Sequence, residues 1–374
     1  MKARYTKRLS ARLIAALLFV LLAAGSLPGC AAPAETEDDG RMKVVTTIFP
    51  QYDFVRAIGG DLVHLRMLLS PGEEMHSYEP TPLDIKEIQN CDLFIYVGGE
   101  NDVWVDRILD NMGDHRPETL RLVDLTDTVE EEIVEGMMEE RGHEHDHDEA
   151  DHHEDGDHDE EVDHHEDDDH DEDADHDEDE HRHGGDSSHE EHEEADEHVW
   201  TSPVKAAEIT EAIAEKMAEI DPSNAEQYRE GANAYEVQLL ELDARFREIV
   251  ESAERKTIVF GDRFPIRYFA EEYGLEYYAA FPGCSAETEP SASTLAFLID
   301  KVREEEIPVV FSIELSNGNI AKAICESGGA VQRTFYSCHN LTREQMESGA
   351  TYVSMMTENL EVLEEALGRK AESK

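Results

Sequence analysis

The chain has few cysteines, few tryptophans and few basic residues. Its five cysteines in 374 residues exclude a small disulfide-rich scaffold, and none forms the close CxxC pair of a zinc ribbon. Lys and Arg number 32 against 89 Asp and Glu, which gives a formal net charge of -57. Phosphate repels a polyanion of this strength, so nucleic acid is excluded as a partner. With 39% hydrophobic residues, the chain still has enough apolar material for one large or two medium domains.

The N-terminal apolar run is too short to span a membrane. Residues 13–24 follow a basic stretch and fall below the ~20 residues that a spanning helix requires. The sequence LPGC then ends at Cys30, with a small residue directly before the cysteine. This order is typical of a bacterial lipoprotein signal, with lipid on the thiol and amino group of Cys30. The sequence therefore predicts a signal peptide over residues 1–29, a tether over 30–41, and an extracytoplasmic protein anchored to the bacterial cell membrane.

Most of the negative charge is concentrated in residues 139–197, which are almost entirely His, Asp and Glu. The histidines of the chain lie in this run or directly after it, except for His64, His76, His115 and His339. A segment this poor in apolar residues cannot offset its ordering entropy, so a disordered loop is predicted. Imidazole and carboxylate are ligands of divalent transition metals, and metal capture is the leading interpretation. A solvated polyanionic linker is the alternative.

Outside this run, strand-like and helix-like segments alternate. Strands are predicted over residues 43–49, 62–69, 92–99 and 121–125, and again over 257–260, 275–280, 309–313 and 332–336. Helical patterns between them favour parallel α/β sheets.

A long periodic stretch separates the two sets of strands. Residues 225–253 carry an apolar stripe with spacings mostly of three and four. Such a helix is roughly 40 Å long. The predicted fold is therefore two α/β lobes, over residues 42–221 and 255–374, bridged by one rigid helix over 222–254.

Two short segments carry the ligand chemistry. Residues 71–82 (PGEEMHSYEPTP) lie between a predicted strand and a helix, where ligands of α/β sheets gather, and this places His76 well. Residues 196–203 (DEHVWTSP) present His198 at the end of the acidic run. An isolated loop histidine is usually an ordinary surface residue, so the surrounding sequence decides the interpretation.

Together, the two segments resemble the zinc and manganese solute-binding proteins of ABC importers. That family carries a PGxxPHxYEPTP-like loop, matched by residues 71–82 with Met75 where proline is usual. It also carries a DxHxWxxP-like motif, matched by residues 196–203, and its zinc members often insert a His-rich acidic loop before it. The resemblance implies two parallel-sheet lobes bridged by a long rigid helix. It also implies a metal site in the cleft between the lobes, with His76 and His198 as ligands.

The C-terminal lobe departs from the family pattern. Zinc members usually place a third histidine in an HxAFxYF-like segment, but residues 260–269 (FGDRFPIRYF) hold none, and Arg263 stands at that position. Asp262 is the ordinary ligand type there, and a salt bridge to Arg263 is its alternative role. His339 follows the last predicted strand, where the family commonly places an acidic ligand. The predicted metal ligands are His76, His198, His339 and Asp262.

Zn²⁺ is the metal that this ligand set favours. Three imidazoles with a carboxylate or water suit tetrahedral Zn²⁺, whereas Mn²⁺ prefers more oxygen ligands and is the less favoured ion. Some zinc members of the family have a disulfide between the matching regions, so Cys284 and Cys338 are expected to pair, with Cys91 and Cys325 as buried free thiols. The predicted accessory metal loop includes His143, His145, His147, His152, His153, His158, His164 and His165.

The resemblance implies high-affinity capture of Zn²⁺ outside the cytoplasm and delivery to the permease of a zinc ABC importer. The protein is then a monomer that contacts the membrane through its lipid anchor, and it is not an enzyme. An extracellular metal buffer or adhesin, in which the acidic run is the working part, is one alternative. A zinc hydrolase with Glu74 or Glu79 as base is another, but outside the acidic run the sequence holds no HExxH spacing.

Overall fold

The computed structural model contains two parallel sheets and one long helix between them. It describes residues 39–75, 78–99, 102–137, 195–285 and 289–368. The predicted signal peptide, Cys30, His76 and nearly all of the acidic run lie outside these residues. In the described ranges, no helix is long and apolar enough to cross a membrane.

The first sheet precedes the acidic run. Its parallel strands are β1 (Met42–Thr46), β2 (Val63–Met67), β3 (Leu93–Tyr96) and β4 (Glu118–Arg121). Their order in the sheet is β2-β1-β3-β4. Parallel neighbours require crossover connections. The helices in these connections are α1 (Phe49–Gly59), α2 (Pro82–Gln89) and α3 (Val103–Asp110).

Two helices follow the acidic run, α4 (Pro203–Ile220) and α5 (Ala225–Ser252). The hydroxyl of Ser202 accepts a hydrogen bond from the Lys205 amide and so defines the start of α4. With 28 residues, α5 is roughly 42 Å long. The predicted apolar stripe is its buried face, formed by Tyr228, Ala232, Tyr235, Leu239, Leu242, Phe246 and Val250.

The second sheet repeats the order of the first. Its parallel strands are β5 (Thr257–Phe264), β6 (Glu276–Pro282), β7 (Val309–Ser312) and β8 (Val331–Thr334). They lie in the order β6-β5-β7-β8. The helices of this half are α6 (Arg267–Tyr273), α7 (Ala292–Glu304), α8 (Asn319–Gly328), α9 (Arg343–Glu347) and α10 (Tyr352–Leu367). The predicted two-lobe α/β fold with parallel sheets is confirmed.

A buried carboxylate joins both lobes to α5. Asp53, on α1, is 1% exposed. Its Oδ2 accepts hydrogen bonds of 2.7 Å from the Tyr235 hydroxyl on α5 and from the Tyr352 amide at the start of α10. The side chain of Arg56 pairs with Oδ1. Helix α5 also touches α1 directly, because a Cβ at Gly231 would lie 2.4 Å from the carbonyl oxygen of Ile58.

One predicted strand is displaced in the structure. Residues 121–125 were expected to form the fourth strand, but β4 ends at Arg121 and Leu122–Asp124 form a 3₁₀ turn. The strand β4 pairs with β3 from Glu118 onward and has no fully buried residue. The apolar residues after it belong to the turn, in which Leu122 is completely buried. The hydrophobic pattern therefore indicated the buried turn that begins at Leu122, and not the edge strand β4 before it.

Candidate metal centre

His198 lies fully buried just before α4 and is oriented by Asp196. Asp196 Oδ1 accepts the backbone N–H of His198 at 2.8 Å and lies 3.0 Å from its ring Nδ1. A carboxylate only accepts, so Nδ1 carries the proton and the lone pair is on Nε2. Burial lowers the pKa of His198, but the negative charges of Asp196, Glu197 and Glu131 outweigh it and raise that pKa above its ordinary value.

Trp200 packs against two of the predicted ligands. Its ring centroid lies 5.4 Å from that of His198 and 5.1 Å from that of His339. The indole Nε1 donates to the Ser337 carbonyl at 2.9 Å, and the Tyr352 hydroxyl donates to the Trp200 carbonyl at 2.7 Å. The two imidazoles are 5.1 Å apart and nearly perpendicular, with an interplanar angle of 88°. The structure therefore brings His198 and His339, predicted from distant segments, to one place.

Glu314 positions His339 through its backbone. The carboxylate of Glu314 accepts hydrogen bonds from the Ser337 amide and hydroxyl, both at 2.7 Å, and from the His339 amide at 2.9 Å. Burial raises the pKa of Glu314, while these hydrogen bonds act in the opposite direction. Sequence reasoning missed this residue. The available signal was its place directly after a buried strand, at the carboxyl end of β7.

The loop that leads to His76 is attached to the His339 loop. The amide nitrogen of the Asn340 side chain donates to the carbonyls of Ser70 at 2.9 Å and Glu73 at 2.8 Å. Although His76 itself is outside the described residues, its neighbour Met75 reaches the site. The sulfur of Met75 lies 3.0 Å from Nε2 of His339.

A small cavity lies beside Met75 and His339, and Arg263 of the C-terminal lobe lines it. Its Nη2 lies 3.2 Å from Oε1 of Glu74, and its Nη1 donates to the Ser285 carbonyl at 3.3 Å. The cavity has a volume of about 20 Å³, enough for one water-sized species. Residues that line it include Glu73, Glu74, Met75, Arg263, Glu314 and His339.

The segments before and after the acidic run are paired with each other next to the His198 segment. Glu130 and Ala195 form an antiparallel bridge, and the Asp196 amide donates to the Val129 carbonyl at 2.9 Å. Glu130 is therefore paired with a residue only three positions before His198 in the chain. The predicted accessory histidines, His143 to His192, lie outside the described residues.

Residues 44–366 match the protein family described as ZnuA, zinc-uptake complex component A, periplasmic. The chain belongs to this family.

Relatives and solved structures of the zinc-uptake family cover most of the chain. The zinc-binding lipoprotein AdcA of Streptococcus pneumoniae is 28% identical over 349 residues, 93% of this chain but only 60% of AdcA. The high-affinity zinc uptake system protein ZnuA of Bacillus subtilis is 28% identical over 361 residues, 96% of this chain and 98% of ZnuA. The crystal structure of the Zn(II)-bound ZnuA-like domain of the pneumococcal AdcA matches with a TM-score of 0.63 and 25% identity. That match covers 88% of this chain and 99% of the domain.

Both carboxylate oxygens of Asp262 are occupied by backbone amides. Its Oδ1 accepts the Arg263 amide at 3.0 Å and its Oδ2 the Ile313 amide at 3.5 Å. Of the predicted ligands among the described residues, His339 lines the cavity, whereas Asp262 and His198 do not. Among the described residues, no three His, Cys, Asp or Glu side chains lie close enough together to hold a metal ion. The ligand roles of His76, His198, His339 and Asp262 all stay predictions.

The predicted disulfide is wrong, because Cys284 and Cys338 are both free thiols. Cys338 has a φ of 61°, in the left-handed region, and its side chain is fully buried. Burial raises the pKa of the Cys338 thiol, as do the charges of Glu314 and Asp53 near it. The surroundings of Cys284 are different, since its amide donates to Glu131 at 3.0 Å. The prediction that Cys91 and Cys325 are buried free thiols is confirmed.

Proposed function

We propose that this protein captures Zn²⁺ outside the cytoplasm in the cleft between its lobes and delivers it to the permease of an ABC importer. The observation that carries the proposal is the convergence of His198 and His339 beside Trp200, from opposite lobes. The names of AdcA and ZnuA, which describe zinc binding and zinc uptake, support the same cargo.

The donor chemistry fits Zn²⁺. Zinc accepts imidazole nitrogen readily and imposes no strong geometry of its own. Asp196 holds the proton of His198 on Nδ1, so Nε2 is the nitrogen that binds metal. His76, in the loop attached to Asn340, is the proposed third imidazole. Mn²⁺ is the less favoured cargo because it prefers more oxygen ligands.

The acidic run has an accessory role in this proposal. Its histidines, over residues 143–192, bind ions weakly and in number, whereas the cleft holds one ion tightly. The bridge between Glu130 and Ala195 holds the two ends of the run beside the cleft. An ion released from the run is therefore released near the tight site.

Anchoring and delivery complete the proposal. Lipid on Cys30 attaches the monomer to the outer side of the membrane, where its permease partner lies. The rigid α5 restricts the lobes to small tilts and loop movements rather than a wide hinge closure. The protein has a binding role here and no catalytic one.

Two histidine variants test the cleft. His198→Ala and His339→Ala should each lower the affinity of the tightest zinc site by about tenfold or more. His115→Ala, at an exposed histidine, is the matched control. Affinity is measured by competition with a fluorescent zinc chelator at substoichiometric zinc, so that the weak sites of the acidic run stay empty. Unchanged tight binding in either cleft variant would refute the site.

Uptake is tested separately in a bacterial strain that lacks its own zinc-binding component. The wild-type protein, expressed with its cognate permease, should restore growth under zinc limitation, and the cleft variants should not. Restoration by His198→Ala at the wild-type level would contradict the importer role and favour the metal-buffer alternative.

A further inference from the structure

Met75 brings a thioether sulfur into the metal cleft. Its Sδ lies 3.0 Å from Nε2 of His339, and the two side chains are 8% and 9% exposed. The zinc and manganese solute-binding proteins that the chain resembles usually have proline at this position of the loop. The sulfur is therefore a feature of this chain and not of the general pattern.

The backbone around Met75 fixes the sulfur in place. The Tyr78 amide donates to the Met75 carbonyl at 2.9 Å. Two residues earlier, the Glu73 carbonyl accepts the Asn340 side chain at 2.8 Å. Asn340 directly follows His339, so the same segment holds both the imidazole and the loop that carries the sulfur.

Filling space is the ordinary role of a buried methionine. Met75 does pack against the hydrophobic core. Its sulfur, however, faces an imidazole nitrogen, and both residues line a cavity of about 20 Å³. A cavity of this size accommodates one small species. The sulfur is therefore placed where it can bind a metal ion as well as fill space in the core.

We infer that the cleft also binds Cu(I), with Met75 as a thioether ligand beside the imidazoles of His198 and His339. The inference rests on the proposed metal cleft and adds a second, softer ion to it. Thioether sulfur selects Cu(I), whereas protein zinc sites use thiolate, imidazole and carboxylate. Binding is coordination alone, so no group is oxidised or reduced.

The thioether differs from the charged side chains that line the cavity, namely Glu73, Glu74, Glu314 and Arg263. The thioether of Met75 is neutral at every pH, so it adds a ligand without adding a competing proton.

Met75→Leu tests the inference in the full chain. Cu(I) affinity is measured anaerobically with ascorbate as reductant and a chromogenic Cu(I) chelator as competitor, and zinc affinity is measured in parallel. X-ray absorption at the copper edge counts sulfur neighbours at substoichiometric Cu(I). Met112→Leu, at a buried methionine in the separate cluster around β3, is the control for the same chemical change. The acidic run and the four described cysteines are identical in every variant. Any Cu(I) that they bind is therefore the same in each protein and does not affect the comparison.

The expected result is a loss of about tenfold or more in Cu(I) affinity for Met75→Leu, with the sulfur neighbour gone. Zinc affinity should change by less than about threefold, because the thioether is not a zinc ligand. Met112→Leu should match the wild type in both. Unchanged Cu(I) affinity, a retained sulfur neighbour, or equal losses of Cu(I) and zinc would each overturn the inference. His339→Ala separates the two proposals, since unchanged zinc affinity there refutes the zinc cleft whatever Met75→Leu does.

Discussion

A single oxygen of Asp196 holds His198 at two points. Oδ1 accepts the backbone N–H at 2.8 Å and lies 3.0 Å from the ring Nδ1, and both residues are buried. The carboxylate therefore fixes the position of the residue, the rotation of its ring and the nitrogen that carries the proton.

Asp196→Asn should weaken zinc binding without removing a ligand. An amide that presents its NH₂ group to Nδ1 favours the tautomer with the proton on Nε2, which blocks the nitrogen aimed at the metal. The expected loss is about 10- to 100-fold in affinity. Competition titration with a zinc chelator measures it, and Asp124→Asn, at an exposed carboxylate, serves as the control. Equal affinities in the two variants would show that Asp196 does not orient the ligand.

Removal of residues 139–194 should leave the tight site intact. Glu130 and Ala195 already form a bridge, so a short Gly/Ser linker can rejoin the ends. The number of zinc ions bound per chain should fall to one, with the affinity of that ion unchanged within about threefold, because the cleft ligands lie outside the deleted segment. Equilibrium dialysis counts the ions. If tight binding disappears with the run, the division into a cleft and an accessory loop is incorrect.

The Arg263–Glu74 ion pair should affect zinc release more than zinc capture. It joins the two lobes at 3.2 Å, beside the cavity. Glu74→Gln should therefore increase the dissociation rate of zinc by several-fold, since pairs across an interface act mainly on dissociation. Glu79→Gln, in the same loop, is the matched control. Stopped-flow release into excess chelator measures the rate, and identical rates in both variants would refute a role for this pair.

Asp102 should make the protein less stable as the pH rises from about 4 to 6. Its carboxylate accepts the amides of Val97 at 2.8 Å and Gly98 at 3.0 Å, and burial raises its pKa to about 6. In the unfolded chain an aspartate titrates near ~3.9. The folded state therefore binds more protons in this window, and the free energy of unfolding falls by roughly 3 kcal/mol as the pH rises through it.

Asp102→Asn removes this titration, so the fall should be smaller in the variant than in the wild type. Urea unfolding at pH 4, 5, 6 and 7 measures the difference between the two proteins, in which the contributions of the other groups cancel. Parallel profiles of the free energy of unfolding against pH in the wild type and the variant would contradict the raised pKa of Asp102.

Local sequence was enough to predict the elements whose ends are set by side-chain caps. Thr81 and Ser202 each accept the amide three residues later, and the helices after them begin at Pro82 and Pro203. The stripe on α5 was equally visible, because its period is a property of the segment alone.

Other features depend on contacts that a local pattern does not contain. The strand β4 is defined by its pairing with β3, and not by its own hydrophobicity. The disulfide prediction was wrong because pairing depends on which thiols the fold brings together, and Cys284 and Cys338 are both free. Glu314 was missed because its partners, Ser337 and His339, lie 23 and 25 residues away in the sequence.

The hydrogen bonds of Asp53 have a consequence for movement between the lobes. One buried oxygen is shared by Tyr235 on the linking helix and Tyr352 on the second lobe, while Asp53 itself belongs to the first. A tilt that separated these three groups would leave Oδ2 of Asp53 buried without its two donors, at a cost of several kcal/mol. These hydrogen bonds therefore resist any separation of the two lobes from the linking helix at this point.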